Sequence, residues 1–500
     1  MSEKEYIIAM EKGQSKDLLK DELTAEAGND YVPARSVDLT NSRNSSTRHF
    51  VMALTDEEAI TLRGDPRVNS VYEPIVWEDD MLDFEVKHRT NWPRYSLSSN
   101  QNNWGLLRHI EATNGWGSNV TDQRSEKKYT GHLAGAGVDI VVQEGSAGRV
   151  THEQFLDANG NSRYNQLQWN TLPNMSGANT ITYGTSGGDH ATHVMGTIGG
   201  LTVGWAPEAQ LYSCPLNYLG NSQYWFDAIK EFHLNKSIDA STGYRRPTVL
   251  NMSWGYKTYL TNISAIYFRG SNVGTTPGST YGLIGDSSSR VNCPIYGFQS
   301  EIEELHDAGV ITIKSGGNQY QKLDIEGGID YDNYMTRSIT TGNVNAGDPL
   351  YYNRGASNIG EDTIVVGNMD SQLYSSQEAS ATTSEKGPRV DIWAAGTNII
   401  SGGNTSDSTY LNYSGTSMSA PQVSGMAALL MQMNPGMTPK DVRNWFINNA
   451  KSGMYIGNTN NTTYFGNDRN LQDGNDKIAY WPYSDHRPIN LSVDTEYVSF

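Results

Sequence analysis

The sequence predicts an α/β fold: a parallel sheet flanked by helices, preceded by a small α+β unit. Three observations carry this. From Trp104 onward, short apolar runs within residues 137–146, 247–255 and 309–318 alternate with helical stretches, as buried parallel strands do. Residues 422–431 are apolar almost all round, which marks a helix inside a core rather than on its surface. Residues 1–80 form a separate series of short strand and helix signals.

That series begins with a strand at residues 5–10 and a polar helix around 16–26. A second strand, 48–54, runs into Thr55-Asp56-Glu57-Glu58, a capping box that opens a helix. Asp65-Pro66 breaks the chain before another strand at 68–74. The polar stretch 81–103 reads as a linker, so the expected division is 1–80, 81–103 and 104–500. In the last of these, the helix at 299–309 stops at Gly309, and Thr438-Pro439 caps and starts another. Segments 256–290, 319–362 and 457–485 are rich in Gly, Asn, Ser and Tyr and read as surface loops. No internal repeat is seen.

With 37 Lys+Arg against 55 Asp+Glu, the net charge is −18, which disfavours nucleic acid and anionic membranes as partners. No apolar run is long enough to span a bilayer. The first residues lack a basic stretch followed by an apolar one, so no signal peptide is read. Two cysteines, Cys214 and Cys293, do not make a disulfide framework. An intracellular or virion-associated protein is expected rather than one secreted by the general route.

The run Ser414-Gly415-Thr416-Ser417-Met418-Ser419-Ala420-Pro421 sets Ser417 where a loop turns into the buried helix. The first turn leaves backbone N–H groups unpaired and carries the positive end of the helix dipole, a field that favours developing negative charge. Ser417 is a candidate nucleophile; as an isolated feature it would be a helix cap. Upstream, His190 and His193 stand three apart in Gly188-Asp189-His190-Ala191-Thr192-His193-Val194-Met195-Gly196-Thr197. Metal pairs on helices more often follow i, i+4 with an adjacent glutamate, so a general base beside a packed histidine is the better reading.

Together these blocks resemble the subtilisin-like serine proteases, whose histidine block runs His-Gly-Thr-His-Val-Ala-Gly-Thr and serine block Gly-Thr-Ser-Met-Ala-x-Pro. The resemblance implies that His190 is the base, His193 structural and Ser417 the nucleophile, with Ala191 standing where glycine is usual. It places the third, acidic member at the end of the preceding strand, which is Glu144, where the family has aspartate. Asn318, in Ser315-Gly316-Gly317-Asn318, matches the family's oxyanion asparagine. By the same resemblance Ser253-Trp254-Gly255 pairs with the substrate backbone, and Ser315, Gly316 and Gly317 form the facing wall of the pocket for the residue before the cleaved bond. The implied function is a serine endopeptidase acting on peptide or protein substrates. Residues 1–80 resemble the family's inhibitory propeptide, an intramolecular partner removed by self-processing somewhere between about 79 and 103. A catalytically impaired relative with a binding role is the alternative. No cofactor is required; calcium is possible at Asp/Asn-rich loops such as 330–333 or 467–476.

Overall fold

The computed structural model describes residues 3–483, apart from 12, 26–34, 43–48, 73–83, 86–90, 95–102, 117–122, 126–129, 132, 158, 169–170, 174–187, 217–222, 286–288, 294–297, 340–345, 356–358 and 458–468. The chain divides into two compact units, with the boundary between Met81 and Leu82.

In the first unit, strand β1 (Lys4–Met10), helix α1 (Lys16–Thr24), β2 (Asp38–Asn41), β3 (His49–Leu54), α2 (Asp56–Arg63) and β4 (Val68–Tyr72) follow in order. The four strands form an antiparallel sheet in the order β2-β3-β1-β4. Ser15 caps α1, its side chain accepting from Leu18 N at 3.4 Å. Thr55 caps α2 in a full capping box, Glu58 N donating to Thr55 Oγ1 and Thr55 N to Glu58 Oε2. Both helices bury one face: Leu19, Leu23, Ala59 and Leu62 join Ile8, Phe50 and Met52 in one dry core. Each of the Leu, Ile, Phe and Met side chains among them contributes about 1.5–3 kcal/mol on burial.

The second unit opens with a departure from the sequence reading. Within the stretch expected to be linker, Phe84–Glu85 pairs with Thr130–Gly131 and Asn91–Pro93 with Gln123–Ser125. Arg94 is buried, its guanidinium 4.5 Å from the Trp104 ring centroid and 3.4 Å from Glu378 Oε1. A polar composition suggested a solvated tether; the aromatic face and the distant carboxylate that hold Arg94 are tertiary partners that composition does not reveal. The proposed cleavage region lies largely outside the described residues.

Helix α3 (Trp104–His109) follows, capped by Asn103. The main sheet is then built from β5 (Asp139–Glu144), β6 (Tyr164–Gln166), α4 (Asp189–Gly199), β7 (Gln210–Pro215), α5 (Gln223–Leu234), β8 (Thr248–Met252), α6 (Phe298–Asp307), β9 (Ile311–Ser315), β10 (Ile364–Tyr374), β11 (Gln377–Ser380) and β12 (Ile392–Ala395), with α7 (Thr416–Met433) and α8 (Pro439–Asn449) closing the unit. Strand order is β6-β7-β5-β8-β9-β10-β11, with β12 also on β10; all pairs are parallel except β10 with β11.

Strand alternation sorts the side chains onto two faces. Ile140, Val142, Val249, Ile311 and Ile313 pack with α4 and α7, while Val141, Leu250 and Met252 pack with α5 and α6. Glu144 shares the parity of Ile140 and Val142, so its carboxylate belongs to the α4–α7 face. Lys314 has the parity of Thr312, whose hydroxyl meets His306 of α6 at 2.7 Å, so it belongs to the opposite face.

Charge is also buried in this unit. Arg108 of α3 donates from Nε to Glu378 Oε1 at 2.6 Å and from Nη2 to Oε2. His109 is enclosed, its Nδ1 2.7 Å from Ala479 O and its Nε2 accepting from Ala395 N at 2.9 Å. Because a backbone carbonyl only accepts and an amide N–H only donates, the ring is the neutral Nδ1–H tautomer.

The segments read as surface loops contain regular structure. Ser271–Asn272, Ile263–Phe268, Tyr334–Arg337 and Leu350–Tyr351 form an antiparallel sheet. Ile266, Met335 and Leu350 face inward over a small core with Leu283, Val291, Cys293 and Tyr352. Polar residues and tyrosines alternate with these few apolar ones, so composition hid a half-buried strand pattern. Behind this sheet Lys322 Nζ lies 3.0 Å from Asp330, 3.6 Å from Asp324 and 3.4 Å from Asp473, and Arg269 also reaches Asp330 at 2.8 Å. At 330–333, a loop considered for calcium, the carboxylate of Asp330 is thus engaged by side-chain cations; Asn467 of the other candidate lies outside the described residues. Among the described residues no helix is long and apolar enough to cross a membrane, and Cys214 and Cys293 are both free and buried.

Candidate active site

Three elements end or begin at the carboxyl edge of the sheet and bring the chemistry together. Glu144 is the last residue of β5 and is buried. His190 is the second residue of α4, in the first turn, with its side chain 44% exposed. The two meet at 2.9 Å, His190 Nδ1 to Glu144 Oε2. A carboxylate accepts, so Nδ1 carries the proton and Nε2 is left as the basic nitrogen. Burial works against a charged ring, but the charge of Glu144 and its hydrogen bond outweigh it, so the His190 pKa is raised above 6.5.

The neighbouring residues hold other positions. His193, one turn on, is buried, with Nε2 2.9 Å from Ile399 O and its ring stacked on Tyr413 at 5.0 Å. Burial lowers its pKa to about 3, so it stays neutral and structural. Asp189 accepts from Asn404 N at 2.8 Å, away from the histidine. Asp139 begins β5 at the far end of the sheet, where Lys236 and Arg246 each reach it at 2.6 Å.

Ser417 is in the first turn of α7, the helix that runs through the core. It is tied to the strand next to β5 by a reciprocal pair: Ser417 Oγ donates to Ser253 O, and Ser253 Oγ donates to Ser417 O, each at 3.1 Å. The second bond has a cause in the sequence. Ser417 O would normally accept the N–H of residue 421, but that residue is Pro421 and has none. Ser253 supplies the missing donor. The Ser417 hydroxyl is therefore donated to Ser253 O and makes no hydrogen bond to His190.

Asn318 follows β9 and faces the same turn. Its Oδ1 accepts from Thr416 N at 3.0 Å and from Thr416 Oγ1 at 3.1 Å, which leaves the amide Nδ2 as a free donor beside Ser417. Thr416 Oγ1 in turn accepts from Gly317 N at 3.1 Å. Gly317 has φ +127°, and a Cβ there would stand 2.4 Å from Glu385 Oε1 and 2.5 Å from Asn292 Nδ2. Only glycine fits that turn. Ser253-Trp254-Gly255 follows directly from the end of β8, and Ser315-Gly316-Gly317 starts on the last residue of β9.

A family model described as the subtilase family matches residues 134–475, well over half of the chain. The chain belongs to the subtilase family. Among relatives, a cuticle-degrading serine protease of Arthrobotrys oligospora is 24% identical over 359 residues, covering 71% of this chain and 64% of that protein. Subtilisin E of Bacillus subtilis is 28% identical over 280 residues, covering 55% of this subtilase and 52% of the relative. The subtilase thus spans about half to two thirds of the length of such relatives. A solved structure titled as a cold adapted subtilisin-like serine proteinase aligns with 76% of this chain and 98% of its own, at 19% identity and a TM-score of 0.45.

Sequence reasoning named Glu144, His190, Asn318 and Ser417, and the fold brings them to one edge. It missed Thr416 and the anchoring role of Ser253. The signal for Ser253 was available in Pro421: a proline early in a buried helix leaves the carbonyl four residues back in need of a donor. It also passed over Lys314, a lysine directly after the apolar Val310-Ile311-Thr312-Ile313.

Proposed function

We propose that this subtilase is a serine endopeptidase using Ser417 as nucleophile, His190 as general base and Glu144 as the acid that orients it. The observation that carries the reading is the bond from His190 Nδ1 to Glu144, which leaves Nε2 as the basic nitrogen. Ser417 Oγ attacks the peptide carbonyl while Nε2 takes its proton. The tetrahedral oxyanion is held by Asn318 Nδ2 and by the Ser417 N–H, which lies in the first helical turn where no earlier carbonyl competes for it. His190 then gives the proton to the leaving amine, and water resolves the acyl-enzyme by the same steps in reverse. Substrate adds as an extended strand along Ser253, Trp254 and Gly255, with main-chain hydrogen bonds and hence broad sequence tolerance. Peptides and proteins are the partners this implies.

The first unit, an antiparallel sheet with two helices, is on this reading an inhibitory propeptide, and the protein is a self-processing zymogen. The full chain, incubated and followed by mass spectrometry, should lose roughly its first hundred residues, and Ser417→Ala should lose none. A fluorophosphonate probe should label Ser417 in the processed form only. If Ser417→Ala still cuts its own chain, the nucleophile is misassigned.

One observation favours a second reading, a pseudoprotease acting as a binding or structural protein: Ser417 Oγ is bonded to Ser253 O rather than to the base. Absence of probe labelling in chain freed of its first unit, with His190 intact, selects that reading.

A further inference from the structure

The last paired residues of β8 and β9 are Met252 and Lys314; no further pair joins 253–255 to 315–317. Lys314 is buried, 1% exposed, in the last of these pairs. Its ammonium donates to Trp254 O, the carbonyl of one wall, and lies 5.4 Å from the Trp254 ring centroid. Among the described residues no carboxylate comes within ion-pair distance of it. An ammonium has three donors, and only this one is matched. A buried cation without a contacting counter-charge costs several kcal/mol, a cost that a carboxylate arriving from outside would offset.

The carboxylates that act on Lys314 from further off do not fill that role. Glu144 is committed to His190. Glu385 takes Asn292 Nδ2 on Oε1, while its Oε2 is buried without a partner. Burial raises Glu385 to about 8, which disfavours its charged form. Burial also lowers Lys314 to about 8, only partly offset by the negative charge of the more distant carboxylates.

We infer that Lys314 is a specificity-determining residue, selecting substrates whose side chain just before the cleaved bond ends in a carboxylate. The inference rests on the proteolytic reading above and on 253–255 and 315–317 forming the two walls of that pocket. The substrate carboxylate enters between the walls beside Trp254 and takes one or both unmatched N–H donors of Lys314. Such charge-assisted bonds are stronger than neutral ones and reject an uncharged isostere.

Two peptides differing only in Glu or Gln before the cleaved bond test it on the processed protein. Glu should be preferred in kcat/KM by at least about tenfold, the scale of one hydrogen bond to a charged group. A denatured-protein digest mapped by mass spectrometry should be enriched in cuts after Asp and Glu. Lys314→Met should erase the Glu-over-Gln ratio while leaving fluorophosphonate labelling of Ser417 intact. Cleavage with Gln equal to or better than Glu, or cuts mainly after apolar residues, overturns the inference and leaves the proteolytic reading standing. No cleavage and no labelling overturns both. The peptide pair needs only the unaltered protein, so misfolding of the variant would not protect the idea.

Discussion

Ser253 and Ser417 hold each other by two hydrogen bonds of 3.1 Å, each hydroxyl donating to the other residue's carbonyl. One of these bonds exists because Pro421 cannot donate to Ser417 O. The backbone of Ser417 is thereby pinned to the end of β8, one strand from Glu144.

Removing that pin should be measurable. Ser253→Ala leaves the Ser417 carbonyl without its donor and should cost about 1–3 kcal/mol in urea unfolding. Adding Pro421→Ala restores a helical N–H and should recover part of the loss. If the double variant is no more stable than Ser253→Ala, the carbonyl is not what Ser253 supports.

The acid limb of the activity profile should report His190. A base must be neutral, and Glu144 raises the His190 pKa, so kcat/KM should climb with pH through an inflection above 6.5. Glu144→Gln should move that inflection down and lower kcat by about 10⁴, the cost of the corresponding acid in subtilisin, the family's own worked case. The same pair affects stability with the opposite slope: its contribution is full below 6.5 and fades as pH rises through the raised folded value. A profile indifferent to Glu144→Gln would remove this residue from the mechanism.

Acid should weaken the fold through two other histidines. Burial, with the charge of Arg108 adding to it at His109, lowers His109 and His193 to about 3. Between about 6.5 and 3 the unfolded chain binds protons there that the folded chain does not, so stability is full above 6.5 and falls with pH through that window. Unfolding free energy measured from pH 7 to pH 4 should drop, and His109→Gln should flatten the slope. An unchanged slope in that variant would show that His109 is not a contributor.

Glu378 gathers Arg94 and Arg108 in the core, its carboxyl held below the usual range because the two guanidiniums outweigh its burial. Glu378→Ala leaves two buried cations without their anion and should cost about 3–5 kcal/mol. A denaturation midpoint within error of the parent's would rule out this cluster as a support of the second unit.

The motifs that the sequence displayed openly were those whose chemistry is local. Ser417 before an all-apolar helix, and His190 three residues from His193, are legible because spacing along one helix fixes their relation. Glu144 was legible once a strand and an order of residues were assumed. Arg94, Lys314 and Ser253 were not, since what each does is set by a partner at least 60 residues away in sequence: Glu378, Trp254 and Ser417. The inserted sheet around Ile266 and Met335 escaped for a different reason. Its strands are short and carry tyrosine, serine and threonine on the outer face, so the apolar alternation is only two or three residues deep.

Lys322 stands among Asp324, Asp330 and Asp473 as a positive charge attached to the backbone. A dissociable ion in that place could be stripped by a chelator or exchanged with the medium, and the carboxylates would then repel one another. A covalently tethered ammonium has no off-rate. These carboxylates therefore have a counter-charge that belongs to the chain itself.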